Sequence, residues 1–236
     1  MHNDLERFWE ELDEQLLVNA PKPRQTENGW IITPDTPTKD ALLQGTMPSG
    51  VFEVWKPIWR QVGFLFQDWN VVLRLFGEEE AALTLYEALP YLSARLYGSM
   101  TDAIFLCVTR LTDPASQGRD RFNLTLSHLA QTVRAAGIGE VADALDVQIT
   151  VVTGQAALIR RHRDKRISHS DLPTALGTRP LEAADRDEIG TVLGGIGDVV
   201  NAVAHAYSGC VTAFDHDAAS GEARALVALL QGRTDP

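Results

Sequence analysis

The sequence predicts an all-α fold, a helical bundle with an N-terminal helix and a proline-rich arm ahead of it. Three observations predict this. Apolar residues recur at steps of three and four along most of the chain, and strand-like alternation is nearly absent. The longest interruption of that rhythm, residues 19–50, is marked by prolines at 21, 23, 34, 37 and 48. A chain of 236 residues with 44% apolar and 22% charged residues can bury a core, and is neither disordered nor low in complexity. The expected organisation is an N-terminal helix plus arm over 1–50 and a bundle over 51–236.

Leu5, Phe8, Leu12 and Leu16 share one helical face, with acids in the first turns where the helix dipole favours them. In the arm, Asn28-Gly29 reads as a short turn before Trp30, Ile31 and Ile32. A long stripe follows at Val51, Trp55, Ile58, Val62, Leu65, Trp69, Val72 and Phe76, with Pro57 tolerated near its start. A shorter helix spans Glu78 to Leu89, and Pro90 opens another that ends near Asp113-Pro114. After a polar loop from Ala115 to Asn123, Leu126, Leu129 and Val133 mark a helix that Gly137 stops.

Val141, Leu145, Ile149, Val152, Ala156 and Ile159 then form the buried face of one long helix. The next step of four lands on Arg163. A turn at Ser168 to Pro173 leads to a final pair of helices, about 182–216 and 220–231. The first of these carries Gly190, Gly194, Gly197, Asn201, Ala204 and Ser208 on one face, small residues that allow close approach of another helix. Ile189 to Phe214 is the most membrane-like stretch, but Asp198, Asn201 and His205 interrupt it, so it reads as a buried helix with no membrane partner. The acidic, polar N-terminus lacks a secretory signal pattern. Cys107 and Cys210 sit in apolar patterns without metal-ligand spacing, which suits a reducing, cytoplasmic setting.

The net charge of −11, from 21 Lys+Arg against 32 Asp+Glu, argues against a general nucleic-acid-coating protein. Its distribution is uneven. The first fourteen residues carry six acids and one arginine, while residues 151–180 carry six bases against Asp164 and Asp171. The acidic opening helix could therefore cover this basic spot.

Several familiar chemistries fail on context. Gly194-Gly195-Ile196-Gly197 lacks the preceding strand and lysine of a phosphate loop and reads as helix packing. The spacings of His162, His169, His205 and His216 match no metal motif, and Asp215-His216-Asp217 reads as a solvated helix end, so neither a metal nor a cofactor is expected. Ser168-His169-Ser170-Asp171 has the letters of a hydrolase triad, but sequence neighbours rarely acquire triad geometry, and no nucleophile elbow exists.

The cluster Arg160-Arg161-His162-Arg163-Asp164-Lys165-Arg166 remains. Arginines at a helix C-terminus suit the dipole. That does not explain Arg163 on the apolar stripe, where a charge is costly unless paired or facing a cleft. Arg163 and His169 together supply a phosphate clamp and a group that titrates near neutrality.

Arg163-Asp164-Lys165-Arg166-Ile167-Ser168-His169 resembles the signature of the HEPN superfamily (higher eukaryotes and prokaryotes nucleotide-binding): arginine, polar residue, then histidine after four to six positions. The flanking segments Thr109 to Pro114, Asn123 to Leu126 and His169 to Asp171 resemble its abortive-infection, phage-defence U-type branch. The likeness extends over roughly 51–216. Arg121 and His128 also satisfy the spacing, but with Phe122 in place of the polar residue and a loop between them.

The resemblance implies a metal-independent endoribonuclease with a composite site at a homodimer interface. In it, His169 is the base or acid, Arg163 the phosphate clamp and Asp164 an orienting carboxylate. Arg160, Arg161, Lys165 and Arg166 would hold the RNA backbone. On an ideal helix His169 lies about 120° around and about 9 Å along from Arg163, so one chain does not obviously form a compact site, whereas a twofold dimer supplies two of each. RNA and an antitoxin or phage-derived trigger are the implied partners. The competing reading is a non-catalytic RNA-binding or protein-interaction module.

Overall fold

The computed structural model describes residues 24–26, 29–32, 46–116, 118, 122–169, 171–214 and 220–232. The opening helix expected at Leu5 to Leu16, Arg121 of the alternative pair, Ser170 and the polar triplet 215–217 lie outside them.

The fold is all-α in character. Among the described residues it comprises nine α-helices, α1 (Ser49–Phe76), α2 (Glu79–Ala88), α3 (Pro90–Leu111), α4 (Leu126–Ala135), α5 (Gly139–Gln155), α6 (Ala157–His162), α7 (Leu172–Ala175), α8 (Arg186–Ser208) and α9 (Ser220–Leu230). A single π-helical turn, Arg163–Ile167, continues α6.

The stripe on α1 is buried from Val51 to Val72, with Ile58, Trp59 and Val62 fully enclosed. Pro57 lies on the exposed side of the third turn and does not end the helix. Trp55 and Trp59 stack at 5.3 Å. Their indole N–H groups are both satisfied, Trp55 on the Val200 carbonyl at 3.0 Å and Trp59 on the Thr212 hydroxyl at 2.7 Å. This aromatic pair fixes α1 against α8, while α3, α4 and α5 close the remainder of the core. A smaller cluster, Leu75, Ala81, Leu85, Ala223 and Val227, joins the end of α1 to α2 and α9.

α8 is the apolar centre of the bundle. Among the described residues it is the one helix whose length and composition fit a membrane span, yet Ile189, Val192, Leu193, Ile196, Val199, Val200 and Val203 are buried in the core. Its polar interruptions have clear positions: Asp198 and His205 are exposed, and Asn201 binds the Thr212 backbone through both N–H and C=O. Asp185 and Glu188 form a capping box at its start. The small-residue face expected to admit a helix does so only in part: Gly190 and Gly194 face open space and Gly197 meets Phe214 and Phe66, whereas the close helix approach is at Gly195, off that face, where an added Cβ would lie 2.5 Å from Val152 Cγ2 on α5.

Three elements differ from the sequence expectation. α8 ends at Ser208, well before 216, because Gly209 adopts the left-handed conformation (φ 67°) and turns the chain into a strand. That strand, β3 (Cys210–Thr212), pairs in parallel with β2 (Gly29–Ile32), which pairs antiparallel with β1 (Arg24–Thr26). The described arm segments, Arg24–Thr26 and Gly29–Ile32, therefore pair with their own chain through backbone hydrogen bonds. The long helix ending near Arg163 is divided at Ala156, where ψ rises to 3° and separates α5 from α6. Its buried face survives the break from Leu145 through Ile149, Val152 and Ala156 to Ile159, but Val141 at its start is only half-buried and Ala142 takes the enclosed position there.

Candidate active site

The basic segment runs through α6 and the π turn, alongside the C-terminal half of α3. A π turn inserts one extra residue into the helical ladder and redirects the side chains after it, and such turns occur frequently at functional sites. Here Ser168 N–H donates to the Arg163 carbonyl at 2.8 Å, and Asp171 N–H reaches back to Lys165 at 3.1 Å. Residues 163–171 thereby curl into a compact turn. The Lys165 ammonium donates to Asp171 Oδ1 at 2.8 Å, and the Thr174 hydroxyl donates to Oδ2 at 2.9 Å. These bonds, the Lys165 one foremost, hold the Asp171 carboxyl below the usual carboxylate range.

Arg163, the charge at the end of the apolar stripe, is half-buried and paired. Its Nε donates to Asp164 Oδ1 at 2.7 Å, and its Nη1 lies 3.5 Å from Asp113 Oδ2. The second oxygen of Asp113 receives Arg160, whose Nη2 also donates to the Thr112 carbonyl and hydroxyl at 3.1 and 2.8 Å. Asp113, with its side chain 19% exposed, thus gathers both arginines at the end of α3. Nη2 of Arg163 has no acceptor among the described residues.

The other bases also face acids. Arg166 pairs with Asp102 at 2.5 Å, Lys165 with Asp171, and Arg161 lies 4.0 Å from Glu182. The basic spot seen along the sequence is therefore largely matched in space by carboxylates from three separate segments. His169 follows the π turn, is exposed, and makes no hydrogen bond or ion pair with a described residue. His162, by contrast, points inward: Nε2–H donates to the Glu182 carbonyl at 2.7 Å, and its ring meets Phe105 edge-on at 5.5 Å.

Sequence reasoning gathered Arg160, Arg161, Arg163, Asp164, Lys165, Arg166 and His169 on one turn but missed Asp113, Asp102 and Glu182. Asp113 lies 50 residues before Arg163, and no local spacing connects them. Its only signal was its place in the Thr109–Pro114 segment. Of the alternative pair, His128 lies in the first turn of α4, beside Phe122 at 6.0 Å. Among the described residues, no three His, Cys, Asp or Glu side chains are grouped as metal ligands.

The helical bundle, with an arginine–polar–histidine turn at the end of α6, has the pattern of a HEPN domain. Residues 72–226 match the model of the HEPN_AbiU2 family, described as AbiU2, and the chain belongs to that family, in the abortive-infection U-type branch of the superfamily. No curated protein matches the chain, and no solved structure does.

Proposed function

We propose that this phage-defence HEPN domain is a metal-independent endoribonuclease whose site is assembled from two copies of the 163–171 turn across a twofold axis. The observation that carries the reading is the division of roles on that turn. Arg163 is oriented by Asp113 and Asp164 with one terminal nitrogen unassigned, while His169 stands exposed and without a described partner.

RNA brings its own nucleophile, the 2′-OH. One His169 takes its proton, the oxygen attacks the adjacent phosphorus, and the partner protomer's equivalent histidine protonates the departing 5′ oxygen. Arg163 stabilises the charge on the pentacoordinate phosphorane. Asp164 is a positioning residue, since its bond to Nε fixes the plane of the guanidinium. Arg161 and Arg166 hold the strand, because exposed ion pairs are weak enough to exchange a carboxylate for a phosphate, and Lys165, retained by Asp171, adds positive charge beside it. Arg160 is committed to Asp113 and Thr112 and belongs to the scaffold. A protein antitoxin or phage-derived trigger would act by covering or freeing this turn in the cytoplasm.

The test is cleavage of structured and single-stranded RNA in excess EDTA by wild type, His169→Ala and Arg163→Ala. Products with 2′,3′-cyclic phosphate ends, lost in both variants, are expected. Cleavage that survives both substitutions overturns the assignment. The pairing of every base from Arg160 to Arg166 with a carboxylate favours a second reading, a non-catalytic interaction module. That reading predicts no cleavage by any of the three proteins.

A further inference from the structure

A second concave site adjoins the candidate active site on the neighbouring face of the same helical turn. A cavity of about 450 Å³ opens between the end of α1, α2, α3 and the segment leading into α8. Phe76, Tyr86 and Tyr97 form one wall, with Phe76 and Tyr97 edge-to-face at 5.2 Å and Phe76 and Tyr86 tilted at 6.4 Å. Both tyrosines keep substantial exposure, 41% and 44%, although a large aromatic side chain gains by burial.

The polar groups converge as well. Arg166 and Arg186 both line the cavity. Arg186 donates to the Gly77 carbonyl and makes no ion pair with a described acid, so its charge is free to meet an anion. Two lining residues, Thr101 and His162, carry covered polar atoms with no hydrogen-bond partner among the described residues, Thr101 Oγ1 and His162 Nδ1. Both atoms are covered by protein, so the groups open to a ligand in this cavity are the tyrosine rings and the two guanidinium groups.

The geometry points to a base-reading pocket: one unstacked base of an RNA strand inserts against Tyr97 and Tyr86, with its phosphate on Arg186 and Arg166. Flat aromatic walls and guanidinium groups are how proteins bind splayed single-stranded bases. His162 and Arg166 border the cavity and are near neighbours of Arg163 in the chain, so a strand bound here would lie beside the turn that carries the Arg163 clamp. The assignment rests on the ribonuclease reading for its substrate, and it adds the element that would choose where a strand is cut.

The experiment measures binding of 2′-O-methyl RNA hexamers of each single base to the full chain by fluorescence anisotropy. The methyl group blocks cleavage, so binding is read separately from turnover. Wild type is expected to prefer one base. Tyr97→Ala should weaken that hexamer by about tenfold and level the preference, the effect of losing one stacking partner, while Tyr97→Phe retains both. Arg186→Gln should weaken all four hexamers alike and lower the salt dependence.

Equal binding of the four hexamers by wild type overturns the proposal, as does a preference that survives Tyr97→Ala and Tyr86→Ala. A 5′-mononucleotide that binds more tightly than the hexamer of its own base overturns the strand assignment. Base preference without cleavage of unmodified RNA leaves the pocket standing and removes the nuclease reading. Cleavage without preference does the reverse.

Discussion

Asp113 Oδ2 lies 3.5 Å from Arg163 Nη1, while the other oxygen of Asp113 holds Arg160, so one carboxylate at the end of α3 positions two arginines from a segment 50 residues away. The three side chains are each roughly four-fifths covered. An arginine in that setting is tolerable because it is paired, and its orientation is inherited from the end of α3. Removing the carboxylate leaves two positive charges facing each other.

Asp113→Ala is therefore expected to lower stability by about 1–3 kcal/mol, less than for a fully buried pair because solvent still reaches the site. Denaturant unfolding measures this. If Asp113 acts on Arg163 as a positioning residue, RNA cleavage in Asp113→Glu should exceed that in Asp113→Ala at equal folded fraction.

His169→Ala should behave oppositely. His169 is exposed with no described partner, so its loss should change stability by no more than about 0.5 kcal/mol. Cleavage should fall by about 10²–10⁴-fold, the usual contribution of a general acid or base. Because the proposed site needs two chains, activity per chain should also drop on dilution below the dimer dissociation constant. Thermal melts and a dilution series check both outcomes.

Gly195→Ala should destabilise by about 1 kcal/mol or more, since the new Cβ would meet Val152 Cγ2 at 2.5 Å and a β-branched side chain yields little. In a Val152→Ala background the same change should be neutral or stabilising, because the clash is gone and the helix-propensity gain of alanine remains. A double-mutant cycle by chemical unfolding reads the sign directly.

Asp171 gives a pH dependence with a definite sign. Its folded-state carboxyl titrates below the ordinary value of 3.8, mainly through the Lys165 bond and then Thr174. A depressed carboxyl contributes its stability above 3.8 and loses it as the pH falls through the lower folded value. Hydrogen exchange at Ser168 and Asp171 should therefore quicken in that acid range, and Lys165→Ala should remove the transition.

Cys107 should be a slow nucleophile. Burial, and after it the charge of Asp68, push its thiol up to about 11, so thiolate is scarce at neutral pH. Cys210 is itself buried. Alkylation of both at pH 7.5 should be far slower than in guanidinium, as timed mass spectrometry would show.

The helical class, most helix boundaries and the candidate turn were legible because each depends on short-range patterning. Steps of three and four place Val51 to Val72 and Leu145 to Ile159 on buried faces, and Pro90 and Asp113-Pro114 mark the ends of α3. The arginine–histidine turn was legible because its residues are close in sequence.

Other features were decided only by tertiary contact. The strand at Cys210 forms because Gly29–Ile32 supplies its hydrogen-bond partner, a backbone pairing that three residues cannot announce. The π turn depends on a hydrogen-bond register that side-chain pattern does not encode. Asp113, Asp102 and Glu182 reach the basic segment from elsewhere in the chain, and so the local positive charge of the sequence becomes a set of ion pairs in the fold. Periodicity determines which face of a helix is buried; which carboxylate meets which arginine depends on how the helices pack, and charge attraction acts through space without regard to sequence distance.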